Sequence, residues 1–201
     1  MADIPQLIRS LADASLKARQ EAGTALFERG LSLCQPIVQD WLADSALSEL
    51  LLRHDAPPSP EASIPPPRTT VGVAVSPENF RRIRAANGSP HLAGVPPDQD
   101  AEEFELRFGD HVQLDILTTR NVTGDGAIAR YLQKLGEGIQ QVEFEVSDVD
   151  RVTEVLHNRF HLDPVYPATR PGADGTRVNF FLAATPDGKR ALIELVETPR
   201  K

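Results

Sequence analysis

Residues 4 to 53 place apolar side chains at helical spacing. Ile4, Leu7, Ile8 and Leu11 form one stripe, and Ile37, Val38, Trp41 and Leu42 form a second that Leu47, Leu50 and Leu51 extend. Gly23, Gly30 and Pro36 read as interruptions, giving two or three helices. A stretch of about fifty residues is thin for an independent core. The stripes therefore predict docking on a second domain or pairing with another copy, a homodimer. From Asp55 to Pro67 prolines remove backbone donors and favour extended chain, so this segment reads as a linker. The expected division is a helical extension at 1–54, a linker at 55–67 and a folded domain at 68–201.

Beyond Arg68 the period changes from helix to strand. Thr70 to Val75 reads as a strand, and Ser76-Pro77-Glu78 opens a helix that Gly88-Ser89-Pro90 stops. A short strand is expected around His91 to Val95. Phe104 to Phe108 alternates, Gly109-Asp110 turns, and Val112 to Ile116 alternates again, which predicts a hairpin. A helix near Asp125 to Leu135 then leads into a second copy of the same order. Ile139 to Val146 is a strand, Ser147 caps a helix to about Phe160 with Asp150 at capping-box distance, and Asp163 to Ala168 is a weak strand. Arg177 to Leu182 and Ala191 to Val196 form a hairpin around Pro186-Asp187-Gly188. Each half thus reads β-α-β-β-β, and the duplication argues for an α+β fold in which paired βαβββ modules form a cupped mixed sheet, with an N-terminal helical extension.

Alternation decides which side chains enter such a trough. Gln113, Asp115 and Leu117 share one face, opposite Leu114 and Ile116. Glu194 and Val196 likewise oppose Ile193 and Leu195. Thr70 and Gln141 begin the two related first strands. Thr70, Gln113 or Asp115, Gln141 and Glu194 are therefore expected to converge from four strands. Arg177, at the end of the Arg170–Arg177 loop, is a further candidate for a phosphate or carboxylate.

Composition narrows the classes. With 201 residues, 40% hydrophobic content and a net charge of -8, the chain can bury a core but does not suit a general nucleic-acid surface. It has no run apolar enough for a membrane and no secretion-signal pattern at its start, so a cytoplasmic location is expected. Cys34 is the single cysteine, set among apolar neighbours and expected to be buried and inert. The five histidines have no zinc-motif spacing.

The segment from Arg68 to Glu197 resembles the vicinal-oxygen-chelate superfamily, and within it methylmalonyl-CoA epimerase and its relatives. The resemblance rests on Gly136-Glu137-Gly138-Ile139-Gln140-Gln141-Val142, Glu145-Val146-Ser147-Asp148-Val149, Gly175-Thr176-Arg177-Val178-Asn179-Phe180 and Leu192-Ile193-Glu194-Leu195. It implies paired βαβββ units and a divalent metal held by a histidine on each first strand and a carboxylate or glutamine on each last strand. Those positions fall here on Thr70 and Gln141, on Asp115 or Gln113, and on Glu194, which the resemblance makes both ligand and base. Both histidines are absent, so zinc or cobalt would bind poorly, although a hard cation held by oxygens is compatible. The expectation is a metal-poor relative that binds a small organic molecule, such as an acyl thioester, without a cofactor. Two alternatives stand beside it: an isomerase, epimerase or lyase acting next to a carbonyl or thioester with Glu194 as catalytic base, and a structural or regulatory interaction module.

Overall fold

The structure is a computed structural model that describes residues 2–53, 66–185 and 188–199. Most of the expected linker, together with His54, Pro186 and Asp187, lies outside the described residues. Arg53 and Pro67, on either side of that linker, pair as an isolated antiparallel bridge. The chain divides into two compact units: residues 1–32 with 70–141, and residues 33–69 with 142–201.

In the first unit, β1 (Thr69–Ala74) runs parallel to β3 (Val112–Thr119), which pairs antiparallel with β2 (Ala101–Phe108). One face of this mixed sheet carries Val71, Val73, Phe104, Leu106, Leu114 and Ile116. It packs on α1 (Ile4–Ser10), the first part of α2 (Leu16–Ala43) and α4 (Pro77–Ala86). The N-terminal stripe thus finds its partner in the first module's own sheet.

Gly23 and Gly30 do not interrupt α2. A Cβ on Gly23 would meet the Phe108 ring at 2.3 Å, and one on Gly30 would meet Val71 at 2.5 Å. Both glycines admit close strand side chains, and that packing outweighs their poor helix propensity. Pro36 also lies inside the helix rather than ending it. The strand expected at His91 to Val95 is absent. Ala93 N–H donating to Glu103 is the trace of it (3.0 Å).

In the second unit the sheet order is β4 (Gly138–Glu145, from Val142 onward), β7 (Arg190–Glu197), β6 (Arg177–Ala184) and β5 (Arg170–Pro171). Its core joins Phe144, Phe181, Ile193 and Leu195 to Val152 and Leu156 of α6 (Val149–Phe160). Cys34 and Trp41, from the later part of α2, and Leu47, from α3 (Ser45–Leu50), complete it. Trp41 meets Phe144 edge to face at 5.8 Å. Cys34 is fully buried, and burial pushes its thiol up to about 12, so it packs rather than reacts.

Asp148, not Ser147, caps α6: its carboxylate accepts from Arg151 N–H at 2.9 Å, while Ser147 Oγ donates to Leu50. Asp150 is not a capping-box acid either, since it pairs with Arg177 at 2.5 Å. The strand expected at 163–168 is reduced to a bridge between Pro164 and Phe181, with β5 just beyond it.

Candidate functional site

The face of the first sheet turned away from α1, α2 and α4 is apolar at one end, where Ala74, Ala101 and Leu117 pack with Ile128 of α5 (Ala127–Leu135), and polar beyond it. Register places Gly72 beside Asp115, and Asp115 beside Glu105; it also places Arg107 beside Gln113. Thr70, two residues before Gly72, belongs to the same face by alternation and is 8% exposed. Gln141 joins them. Its Cγ would stand 2.6 Å from a Cβ on Gly72, so the glycine leaves the space in which the glutamine side chain lies. Thr70, Gln113, Asp115 and Gln141 therefore share one surface of one unit.

Three residues on this face were not singled out from the sequence: Gly72, Glu105 and Arg107. Strict alternation in Phe104-Glu105-Leu106-Arg107, together with the hairpin, was signal enough for the last two. Arg107 is hydrogen-bonded to Glu105. That bond, with Asp115 contributing charge at longer range, binds its proton more firmly than usual.

Glu194 lies in the second unit, on the β7 face opposite α6, and is 8% exposed. Register sets it beside Phe180, and sets Leu192 beside Leu182 and Val196 beside Val178. Arg177 is on the other face. It donates to Asp150 at 2.5 Å and to Glu197 at 3.3 Å, at the start of α6. The structure does not bring it to Glu194, and its partners make it a clamp between sheet and helix.

Equivalent hydrogen bonds align the two modules. Val75 N–H donates to the Leu117 carbonyl (2.9 Å), and Val146 N–H donates to the Val196 carbonyl (2.8 Å). Thr70 and Gln141 each stand five residues before the donor, and Asp115 and Glu194 each stand two residues before the acceptor. Of the two residues left open, Asp115 rather than Gln113 is thus the counterpart of Glu194.

Against this geometry the chain is similar to solved structures of one architecture. Methylmalonyl-CoA epimerase from Mycobacterium tuberculosis is 29% identical, with a TM-score of 0.52, over 65% of this chain and 87% of that one. The chain carries the vicinal-oxygen-chelate superfamily fold. A hypothetical protein from Bacillus halodurans C-125 shares it at 24% identity and TM-score 0.52, over 66% of this chain and 94% of that one. So does a Streptomyces coelicolor methylmalonyl-CoA epimerase variant in complex with 2-nitronate-propionyl-CoA, at 21% identity and TM-score 0.51, over 75% and 99% of the two chains. No protein-family model and no curated protein matches the chain. The α+β reading and the recognition of this superfamily both hold.

The donor set at the positions where the resemblance puts metal ligands is a threonine hydroxyl, a glutamine amide and a carboxylate in the first unit, and a carboxylate in the second. It contains no imidazole or thiolate, so these residues do not fit zinc or cobalt. Among the described residues no three His, Cys, Asp or Glu side chains cluster for a metal, and no helix is long and apolar enough to cross a membrane.

Proposed function

We propose that this chain is a metal-poor member of the vicinal-oxygen-chelate fold that binds a small organic ligand carrying a carbonyl or carboxylate. One observation carries the reading. Thr70, Asp115 and Gln141 stand on one face around Gly72, whose missing side chain leaves room for the glutamine. A hydroxyl and an amide can orient a carbonyl oxygen by hydrogen bonds without the charge a metal would bring. The S. coelicolor variant bound to an acyl-CoA analogue makes acyl thioesters the first class to test. Native mass spectrometry with elemental analysis, on protein purified without added metal or chelator, tests both halves. A metal-free chain that binds methylmalonyl-CoA or propionyl-CoA, and loses that binding in Gln141→Leu, is expected. A stoichiometric divalent cation would overturn the metal-poor reading, and unchanged binding in Gln141→Leu would remove this face from it.

A second reading is supported by Glu194, a carboxylate set in a mostly apolar strand face. When ionised it would take the proton from the carbon next to a thioester carbonyl, and water protonating the enolate on its opposite side would complete an epimerisation. Deuterium uptake at that carbon in heavy water is the measurement. Uptake by the wild type that survives in Glu194→Gln would exclude Glu194 as the base, and no uptake by the wild type would leave binding alone.

A further inference from the structure

Around Glu194 the face of β6 and β7 is apolar where the first module's is charged. Leu182 and Leu192 pair across the strands, and Phe180 lies beside Glu194. Leu182 remains 45% exposed, on the stretch of β6 that β5 does not cover. At the edge of this face Tyr166 stands against Phe180, ring centroids 6.0 Å apart and planes at 76°. The Arg170 guanidinium lies 4.5 Å over the Tyr166 ring. Arg170 is opposite Val178 in the β5–β6 pairing, so it belongs to the same face as Phe180 and Glu194. An apolar stretch on β6 and β7 thus ends in a stacked cation at one side, with Glu194 and, on the neighbouring β4, Glu143 at the other.

The geometry points to an amphipathic organic anion as the ligand of this face, its alkyl or aromatic body against Phe180, Leu182 and Leu192 and its anionic group at Arg170. This deepens the binding reading above and rests on it. A ligand without an apolar body would leave the leucine pair wet, and a cationic ligand would meet Arg170. Stacking on Tyr166 orders the guanidinium, whose five donors can serve a carboxylate or phosphate as well as a protein partner. Glu194 then lies against the body of the ligand and away from its charged end, where an anion beside a second carboxylate would be repelled.

The test is an NMR titration of the full chain with acetate, butanoate, hexanoate and 3-phenylpropanoate, and with the neutral 3-phenylpropanol. Affinity should rise about fourfold per fully covered methylene. Leu182→Ser, at an exposed position that does not threaten the core, should flatten that rise. Arg170→Gln should weaken every carboxylate by about tenfold, the loss of a charge-assisted hydrogen bond, and leave the alcohol unchanged. Carboxylates that bind without regard to size, or an unaltered slope in Leu182→Ser, would overturn the inference while leaving the acyl-thioester reading intact. If the wild type binds neither carboxylates nor CoA thioesters, both fall. If Leu182→Ser alters sedimentation mass and leaves the carboxylate series unchanged, the face is an interface between copies and the inference is overturned.

Discussion

The two modules build the same strand face from opposite chemistry. In the first, the positions opposite Leu117, Asp115 and Gln113 are Glu103, Glu105 and Arg107. In the second, the equivalent partners of Val196, Glu194 and Leu192 are Val178, Phe180 and Leu182. The helix-facing sides barely differ, both being close-packed aliphatic and aromatic cores. The modules therefore match on the side that folds each of them and differ on the opposite side. Across their hairpins, Asp115 faces a charged row and Glu194 an apolar one, so the same carboxylate position has different strand partners. Asp115 adds to the charge that holds the Arg107 proton, whereas across its hairpin Glu194 is paired with Phe180, with Glu143 on the same face of the neighbouring β4.

The largest expected effect tests whether the two cores carry stability separately. Trp41 is fully buried and meets Phe144 edge to face. Trp41→Ala should cost about 3–5 kcal/mol through lost burial and a cavity. Hydrogen exchange read by mass spectrometry should show protection lost first in residues 33–53 and 142–199. Equal loss in residues 70–141 would show that the cores unfold as one, and the contrast between modules would then hold only for their faces.

Next in size is the glycine contact of the first module. Gly30→Ala gains about 1 kcal/mol of helix propensity. Its Cβ would stand 2.5 Å and 2.6 Å from the two Val71 methyls, and Val71 is a buried β-branched residue with little freedom to turn away. Overpacking should win, with a net destabilisation of about 1–2 kcal/mol in urea unfolding. A stabilised Gly30→Ala would show that α2 can lift off β1 at little cost.

These contacts mark where the sequence was legible. Alternation gave both hairpins and their inward and outward sides, because a half-buried strand has period two and one slipped residue would invert it. The sequence misled at Gly23 and Gly30, where the residue that weakens an isolated helix is the one that lets strand side chains approach it. The cap of α6 was placed one residue early, at Ser147. Backbone geometry chose Asp148, since Ser147 is drawn to the Leu50 carbonyl, a contact that no local pattern announces. For the site, Thr70, Gln113, Asp115 and Gln141 were readable from strand parity. Arg177 was not, because the loop before it hides which side of β6 it takes.

The smallest expected effect compares how each module anchors the helix after its first strand. In the first, Ser76 Oγ accepts from Asn79 N–H, and the remote Glu137 accepts from Ser76 N–H (2.7 Å) and Asn79 Nδ2 (2.8 Å). In the second, Asp148 accepts from Arg151 N–H, and the remote Glu197 accepts from Val149 N–H (3.0 Å). Each helix start thus has a local cap and a distant glutamate, which the positive end of the helix favours. For Glu137, partial burial favours the neutral acid, but the donors from Ser76 and Asn79 outweigh it and hold the carboxyl below its ordinary value. A carboxyl lowered on folding stabilises the fold above its unfolded value, about 4.3, and that stability is lost as pH falls through the lower folded value. Glu137→Gln should therefore cost about 1 kcal/mol near neutral pH and progressively less in acid. Glu197→Gln should cost a similar amount, since it also releases one of the two carboxylates holding Arg177. Urea unfolding of both variants at pH 7 and pH 3.5 is the measurement. A Glu137→Gln penalty that does not shrink in acid would mean its partners value shape over charge, and the parallel between the two helix anchors would fail.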